Sequence, residues 1–252
     1  MRKARCFLFA LILLPLSFPN LSASTLSFQS SSKKTNLVEI YTSEGCSSCP
    51  PAHQWISSFK NDPGLWKDFI PAVFHVDYWD QLGWKDKFDS PEYTERERTY
   101  SLWWGEPTLF TPCVVLNGRI LQGWDRVSHF PPDPGSPGIL TLDVLGQDLY
   151  QIHFEPSQKS FSSLTAHAVL LGLGIQSVIE RGENSGQVLK HDFTVLDYQK
   201  AALESGNPTA QVKLQFSPLL PERLTPKRVA VAAWVTQGED PSPIQAAGGE
   251  LS

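Results

Sequence analysis

The first half of the chain alternates between apolar runs and amphipathic stretches. Residues 37–42 and 69–76 are apolar runs of strand length, and this pattern predicts two buried strands. Residues 48–60 are amphipathic, and residues 90–104 are rich in charges that fall on neighbouring turns of a helix. Both stretches are therefore predicted to be α-helical, which gives the order β-α-β-α.

A tight hairpin is predicted next. Asn117-Gly118 separates residues 113–116 from residues 119–122, and this dipeptide favours a two-residue turn between antiparallel strands. The order β-α-β-α-β-β predicts an α/β fold whose strands share one mixed sheet.

The chain changes character after a segment rich in proline and glycine. Residues 130–138 sustain neither a helix nor strand pairing, and they indicate a boundary. We therefore expect a first domain over residues 35–130 and a β-rich C-terminal domain over residues 139–252. Antiparallel strands are predicted beyond the boundary at 140–144, 150–154, 166–173, 187–196, 210–216 and 228–235.

The N-terminus has the pattern of a secretory signal peptide. Arg2, Lys3 and Arg5 form a basic start, residues 6–16 are almost entirely apolar, and small residues follow. The apolar run is too short to span a bilayer. We expect residues 1–23 to be cleaved, which leaves a periplasmic or secreted product with no stable membrane span.

Cleavage would change both the charge and the cysteine count. The formal net charge is −5, and loss of the three basic residues lowers it to about −8, which argues against nucleic acid as a partner. Cys6 would be lost, and Cys46, Cys49 and Cys113 would remain. In an oxidising compartment this odd count indicates one disulfide and one further thiol.

Cys46 and Cys49 lie between a predicted strand and a predicted helix. Pro50 and Pro51 lack amide donors and fit the first helical turn, so the helix N-cap is expected near Ser48. The positive end of the helix dipole would stabilise a Cys46 thiolate, and Cys49 would be the resolving thiol. This arrangement predicts redox chemistry.

Two other interpretations of the pair stay open. The pair can form an inert structural disulfide, as is common in exported proteins. Alternatively, Cys46, Cys49, His53 and His75 can bind copper or zinc, because His53 follows one helical turn after Cys49 and His75 ends the next strand. Surface or hydrogen-bonded structural positions are expected for the other histidines, His129, His153, His167 and His191.

The element order, together with residues 110–119, resembles the thioredoxin superfamily. The resemblance implies a thioredoxin-like fold in which Pro112 is a cis-proline beside the cysteine pair and Thr111 offers backbone groups to an extended substrate. Cys113 departs from the family pattern, in which this residue is usually polar. It would be either a third exchange partner or a small buried residue that begins a strand.

Three segments resemble the DUF1223 family of exported bacterial thioredoxin-like proteins, namely residues 41–52, 75–86 and 181–186. The resemblance spans most of the mature chain and supplies no established substrate. Within the second segment, His75 and Asp77 are expected nearest the chemistry, where they would accept protons during exchange. The third segment is predicted to be a turn, either at the surface or docked on the first domain.

The leading hypothesis is a thiol-disulfide oxidoreductase that needs no cofactor and acts on protein thiols or disulfides. Cys46 would attack, Cys49 would resolve the mixed disulfide, and Thr111 and Pro112 would contact the substrate. One alternative is a copper- or other metal-binding module. Another is a non-catalytic binding protein with a structural disulfide.

Overall fold

The computed structural model describes residues 26–146, 148–158, 161, 163–204, 206, 208–215 and 224–251. The predicted signal peptide lies outside the described residues. Within them there are two α-helices, α1 (Pro50–Ser58) and α2 (Pro91–Trp104). Short 3-10 helices are found at Phe59–Asn61, Asp80–Leu82 and Trp124–Arg126.

The described residues also form fourteen strands. They are β1 (Ser27–Gln29), β2 (Asn36–Thr42), β3 (Phe69–His75), β4 (Cys113–Leu116), β5 (Arg119–Ile120), β6 (Gly138–Val144), β7 (Leu149–Pro156), β8 (Leu164–Leu173), β9 (Ile175–Val178), β10 (Val188–His191), β11 (Thr194–Ala202), β12 (Thr209–Lys213), β13 (Arg228–Gln237) and β14 (Asp240–Leu251).

Eight of these strands form one mixed sheet in the order β14-β13-β8-β11-β3-β2-β4-β5. β3 pairs in parallel with both β2 and β11, whereas the other neighbours are antiparallel. A four-stranded sheet has the order β1-β6-β7-β12, and β9 pairs with β10 alone. The sheet that leads into the cysteine pair thus contains strands from both halves of the chain.

The two helices begin and end where the local sequence favours it. Pro50 and Pro51 open α1, and both fit because the first helical amides have no intrahelical acceptor. Ser90 caps α2 by accepting a hydrogen bond from the amide of Glu92, and Gly105 ends it with a φ of 74°.

The described residues form two main apolar cores between the sheets and helices. The larger core lies around β2, β3 and the two helices, and β2 and β3 are buried along their whole length. The second core lies between the four-stranded sheet and the strands β8, β13 and β14. No helix in the described part of the chain is both long and apolar enough to cross a membrane.

The predicted fold class, an α/β thioredoxin-like domain with a C-terminal antiparallel β domain, is wrong. Strands account for 44% of the described residues and helices for 16%. The physical reason lies at the edge of β3, where β11 pairs through Thr194 and Val73 and so joins strands of the second half to the first sheet. The boundaries at 35–130 and 139–252 stay predictions.

Candidate active site

A disulfide joins Cys46 and Cys49 between the end of β2 and the start of α1. The two Cα atoms are 5.5 Å apart, and both residues are fully buried. The N-cap of α1 is Cys49, one residue later than the predicted Ser48. The predicted disulfide is confirmed, and it lies at the positive end of the helix dipole.

The segment Thr111–Pro112 lies beside this disulfide. The Sγ atom of Cys46 is 3.8 Å from the Thr111 carbonyl oxygen and 3.2 Å from the Ser48 hydroxyl oxygen. The Ser48 hydroxyl also donates to that carbonyl over 3.3 Å, and the Thr111–Pro112 peptide bond is cis. The structure therefore brings Thr111 next to Cys46 and Ser48, which precede it by more than sixty positions in the sequence.

The turn at residues 181–186 docks on the cysteine loop. The buried side-chain amide of Asn184 donates to the carbonyl oxygens of Glu44 (2.8 Å) and Cys46 (2.9 Å). The Ser47 amide donates to a carboxylate oxygen of Glu183, and hydrogen bonds from the Ser47 hydroxyl and then this amide lower the pKa of Glu183. Of the two predicted positions for this turn, the structure shows the docked one.

Three histidines form a buried cluster next to the disulfide loop. His53 lies in α1, His75 ends β3 and His191 ends β10. The ring centroids are 4.9 to 5.5 Å apart, and one nitrogen from each ring lies within 4.8 Å of the other two. We call these three residues the histidine cluster.

Each ring in the histidine cluster is hydrogen-bonded to one residue outside the cluster. His75 Nδ1 is 2.7 Å from a carboxylate oxygen of Asp86, and His191 Nε2 is 3.0 Å from a carboxylate oxygen of Glu44. His53 Nε2 is 2.9 Å from the hydroxyl oxygen of Thr42. The two carboxylates therefore fix the orientation of two of the rings.

These surroundings shift the histidine pKa values in opposite directions. Burial opposes a charge on His75, but Asp86 and the nearby Glu44 outweigh it and raise the His75 pKa. Burial also lowers the His53 pKa well below its ordinary value, and His191 and His75 lower it further. His53 is therefore neutral at physiological pH.

Not every predicted site residue lies in this arrangement. The Asp77 carboxylate accepts a hydrogen bond from the Thr94 hydroxyl of α2 over 2.6 Å. Cys113 is a buried free thiol in β4, opposite Tyr41 of β2. Burial raises the Cys113 pKa, and Glu97 raises it further, so Cys113 is protonated at neutral pH.

Sequence reasoning missed two members of the site and ranked a third too low. His191 was expected in a structural role, Glu44 was not singled out, and Asp86 was one of the acidic residues of the segment 75–86 that ranked behind His75 and Asp77. Glu44 and Asp86 lie within the segments 41–52 and 75–86 that suggested the family. Their place in these segments is the sequence feature that could have pointed to them. No sequence signal placed His191 beside them, because β10 reaches the site only through the folded sheet arrangement.

The fold and the site together define a class, namely β-rich proteins with a disulfide at a helix N-terminus beside buried histidines. The family model "Protein of unknown function (DUF1223)" matches residues 37–236. This chain belongs to the DUF1223 family, and the predicted family is confirmed. No match to a curated protein was found.

Two solved structures are similar to this chain. Protein AGR_C_4864 from Agrobacterium tumefaciens is 23% identical with a TM-score of 0.56, over 84% of this chain and 92% of that one. HBP35 of Porphyromonas gingivalis is 16% identical with a TM-score of 0.59, over 88% of this chain and 76% of that one. At these identities the similarity shows the fold alone.

Proposed function

We propose that this chain is an exported thiol-disulfide oxidoreductase that acts on protein thiols or disulfides through Cys46 and Cys49. The observation that carries the proposal is the position of the disulfide at the N-terminus of α1, next to the backbone carbonyl of Thr111. The two residues between the cysteines, Ser47 and Ser48, are exposed, so a partner can approach the loop from that side.

In the reduced protein, a Cys46 thiolate attacks one sulfur of a substrate disulfide. A new sulfur–sulfur bond forms, and the other substrate sulfur leaves as a thiolate that takes a proton from water. A Cys49 thiolate then attacks the Cys46 sulfur, which releases the second substrate thiol and restores the Cys46–Cys49 bond. Two electrons pass to the substrate, and an external dithiol reduces the pair again; the reverse sequence oxidises a substrate.

Two local features stabilise a thiolate at Cys46. The dipole of the nine-residue helix α1 favours negative charge at its N-terminus. The Ser48 hydroxyl lies 3.2 Å from Cys46 Sγ, and in the reduced protein it can rotate away from the Thr111 carbonyl and donate its one proton to a thiolate there. Neither of these features stabilises a thiolate at Cys113, and burial keeps Cys113 protonated. Cys113 therefore takes no part in the exchange.

Trapping of a mixed disulfide tests this proposal. The reduced Cys49→Ser variant, incubated with oxidised glutathione, should accumulate an adduct on Cys46, because the resolving thiol is absent. Cys46→Ser should accumulate less, and Cys113→Ser should behave like the wild type; peptide mass spectrometry locates the adduct. A folded Cys49→Ser variant that forms no adduct on Cys46 would show that the disulfide is structural.

A further inference from the structure

The histidine cluster offers three ring nitrogens to a common point. With Asp86 accepting from His75 Nδ1, the unprotonated nitrogen of a neutral His75 is Nε2, and this buried atom has no hydrogen-bond partner among the described residues. With Glu44 accepting from His191 Nε2, the corresponding nitrogen of His191 is Nδ1, and it faces His53 Nδ1. From this convergence we infer that His53, His75 and His191 bind one transition-metal ion, with Zn²⁺ as the first candidate.

The spacing fits a tetrahedral ion. Nitrogen ligands at about 2.0–2.1 Å from Zn²⁺ are roughly 3.3–3.4 Å from one another in a tetrahedron. His53 Nδ1 and His191 Nδ1 are 3.5 Å apart, and one nitrogen of His75 completes a group within 4.8 Å. A movement of the His75 ring on the order of 1 Å would bring all three nitrogens to bonding distance.

The charge of the surroundings also favours a cation. Glu44 and Asp86 are buried carboxylates, and their ion-pair partners in the described part of the chain are His191 and His75. Buried carboxylates need compensating positive charge. A divalent ion bound to three neutral histidines would balance the negative charge of both carboxylates. The carboxylates would orient the histidine rings that bind the ion.

The histidine cluster comes nearest to the surface at His53, which is 5% exposed. His53 lines a surface groove together with Pro50, Gln54, Leu189 and Lys190. This groove borders α1 and β10, which carry two of the three ligands. Three protein ligands leave a fourth position for water or an external ligand, as in catalytic zinc sites.

This ligand set differs from the one expected from the sequence. The sequence suggested Cys46 and Cys49 together with His53 and His75, whereas the cluster combines the two histidines with His191. Metal binding by the histidine cluster is also independent of the proposed thiol chemistry, since it uses neither sulfur atom.

X-ray absorption of the zinc-loaded wild type tests the inference. Apo protein titrated with Zn²⁺ should bind one ion per chain, with a shell of nitrogen or oxygen atoms at about 2.0–2.1 Å and no sulfur shell at about 2.3 Å. The Cys46→Ser/Cys49→Ser double variant should give the same stoichiometry and the same spectrum. Failure of wild-type binding, or a sulfur shell, would overturn the inference, whatever the outcome of mixed-disulfide trapping.

Histidine variants assign the ligands. His191→Ala should abolish stoichiometric binding, and Asp86→Asn should weaken it about 10- to 100-fold by releasing His75. The matched control is His167→Ala, because His167 is also buried but bonds to Tyr198 and Thr236. Equal binding by folded His191→Ala and His167→Ala proteins would contradict the assignment.

Discussion

Asp86 is a buried carboxylate that holds three parts of the site in place. Besides pairing with His75, it accepts hydrogen bonds from the backbone amides of Glu44 (2.8 Å) and Phe88 (3.0 Å). Burial alone would raise its pKa, but these partners, with His75 foremost, lower it. The Asp86 charge is therefore stabilised by the fold, and its loss should destabilise the fold.

We predict that Asp86→Asn lowers the free energy of unfolding by about 3 kcal/mol or more, because it leaves His75 without its anionic partner in a buried place. Denaturant unfolding of the metal-free protein measures this change. Asp143→Asn, at a half-buried position of β6, is the control and should change stability by less than about 0.5 kcal/mol. Similar effects of the two substitutions would refute this role of Asp86.

Glu97 should make stability depend on pH. It accepts hydrogen bonds from the Phe110 amide and the Tyr78 hydroxyl, but burial dominates and raises its pKa from 4.5 to about 7. A carboxyl group with a raised folded-state pKa contributes stability that is complete below the unfolded-state pKa. That contribution is lost as the pH rises from about 4.5 through 7.

The Glu97→Gln variant tests this dependence, because glutamine keeps the shape of the side chain but does not titrate. The wild type should lose up to about 3 kcal/mol of unfolding free energy relative to Glu97→Gln between about pH 4 and pH 8. Denaturant unfolding at a series of pH values gives the difference. A difference that stays constant over this range would contradict the raised pKa.

At the scale of elements, the turn at residues 181–186 controls the cysteine loop. The side-chain amide of Asn184 donates two hydrogen bonds from this turn, one to the Glu44 carbonyl oxygen and one to the Cys46 carbonyl oxygen. Without Asn184 both carbonyl groups would lose this donor. The Cys46 carbonyl would keep the Cys49 amide, so the cost of about 1–3 kcal/mol falls on the Glu44 carbonyl where it stays buried. The cysteine loop would then open more readily.

We predict that Asn184→Ala accelerates reduction of the Cys46–Cys49 disulfide by dithiothreitol about 5- to 30-fold, which corresponds to about 1–2 kcal/mol of easier opening. Thiol labelling during reduction gives the rate. Ser185→Ala is the matched control in the same turn, because the Ser185 hydroxyl donates to the Glu180 carbonyl oxygen and to no residue of the cysteine loop among the described contacts. Equal rates for wild type and Asn184→Ala would show that the turn does not restrain the loop.

Local signals predicted the elements of the first half, but they did not predict sheet partners. The Asn117-Gly118 hairpin and the helix expected over residues 90–104 are found where predicted, because each depends on a few neighbouring residues. Residues 187–196 were expected to be one strand, yet β10 and β11 belong to different sheets, and Phe193 between them has a φ of 61°. Pairing across such distances depends on the whole fold.

β14 shows why a sequence pattern can mislead. No strand was predicted beyond residue 235, where prolines and glycines are frequent, yet β14 pairs with β13 at the edge of the large sheet. A side chain at Gly249 would collide with the ring of Phe28 in β1, and one at Gly248 would come within 2.6 Å of the Val231 carbonyl oxygen. These glycines serve close packing, which only the folded arrangement reveals.

At the scale of the whole molecule, Gln245 joins the last strand to the N-terminal segment and to β6. Its side-chain amide donates to the carbonyl oxygens of Ser31, Lys33 and Gly138, and its carbonyl oxygen accepts from the Thr35 amide. Gln245 is fully buried, and its bonds to the Gly138 carbonyl and the Thr35 amide are buried as well. Buried backbone groups need such partners.

We predict that Gln245→Ala lowers the free energy of unfolding by about 2 kcal/mol or more, because two buried backbone groups, the Gly138 carbonyl and the Thr35 amide, lose a partner at about 1–3 kcal/mol each. Urea unfolding measures the loss. Gln211→Ala is the control, since the Gln211 side chain is exposed and bonds to the Gln151 side chain. A loss for Gln245→Ala as small as that of the control would mean that this connection does not stabilise the molecule.

The reduction potential of the Cys46–Cys49 pair tests the proposed function most directly. Structural disulfides of exported proteins have potentials below about −300 mV, whereas catalytic pairs lie above this value. Equilibration of the Cys113→Ser protein with glutathione or dithiothreitol buffers, followed by quantification of the two thiols, gives the potential. The account predicts a value above about −300 mV, and a value well below it would contradict thiol-disulfide exchange as the function of this site.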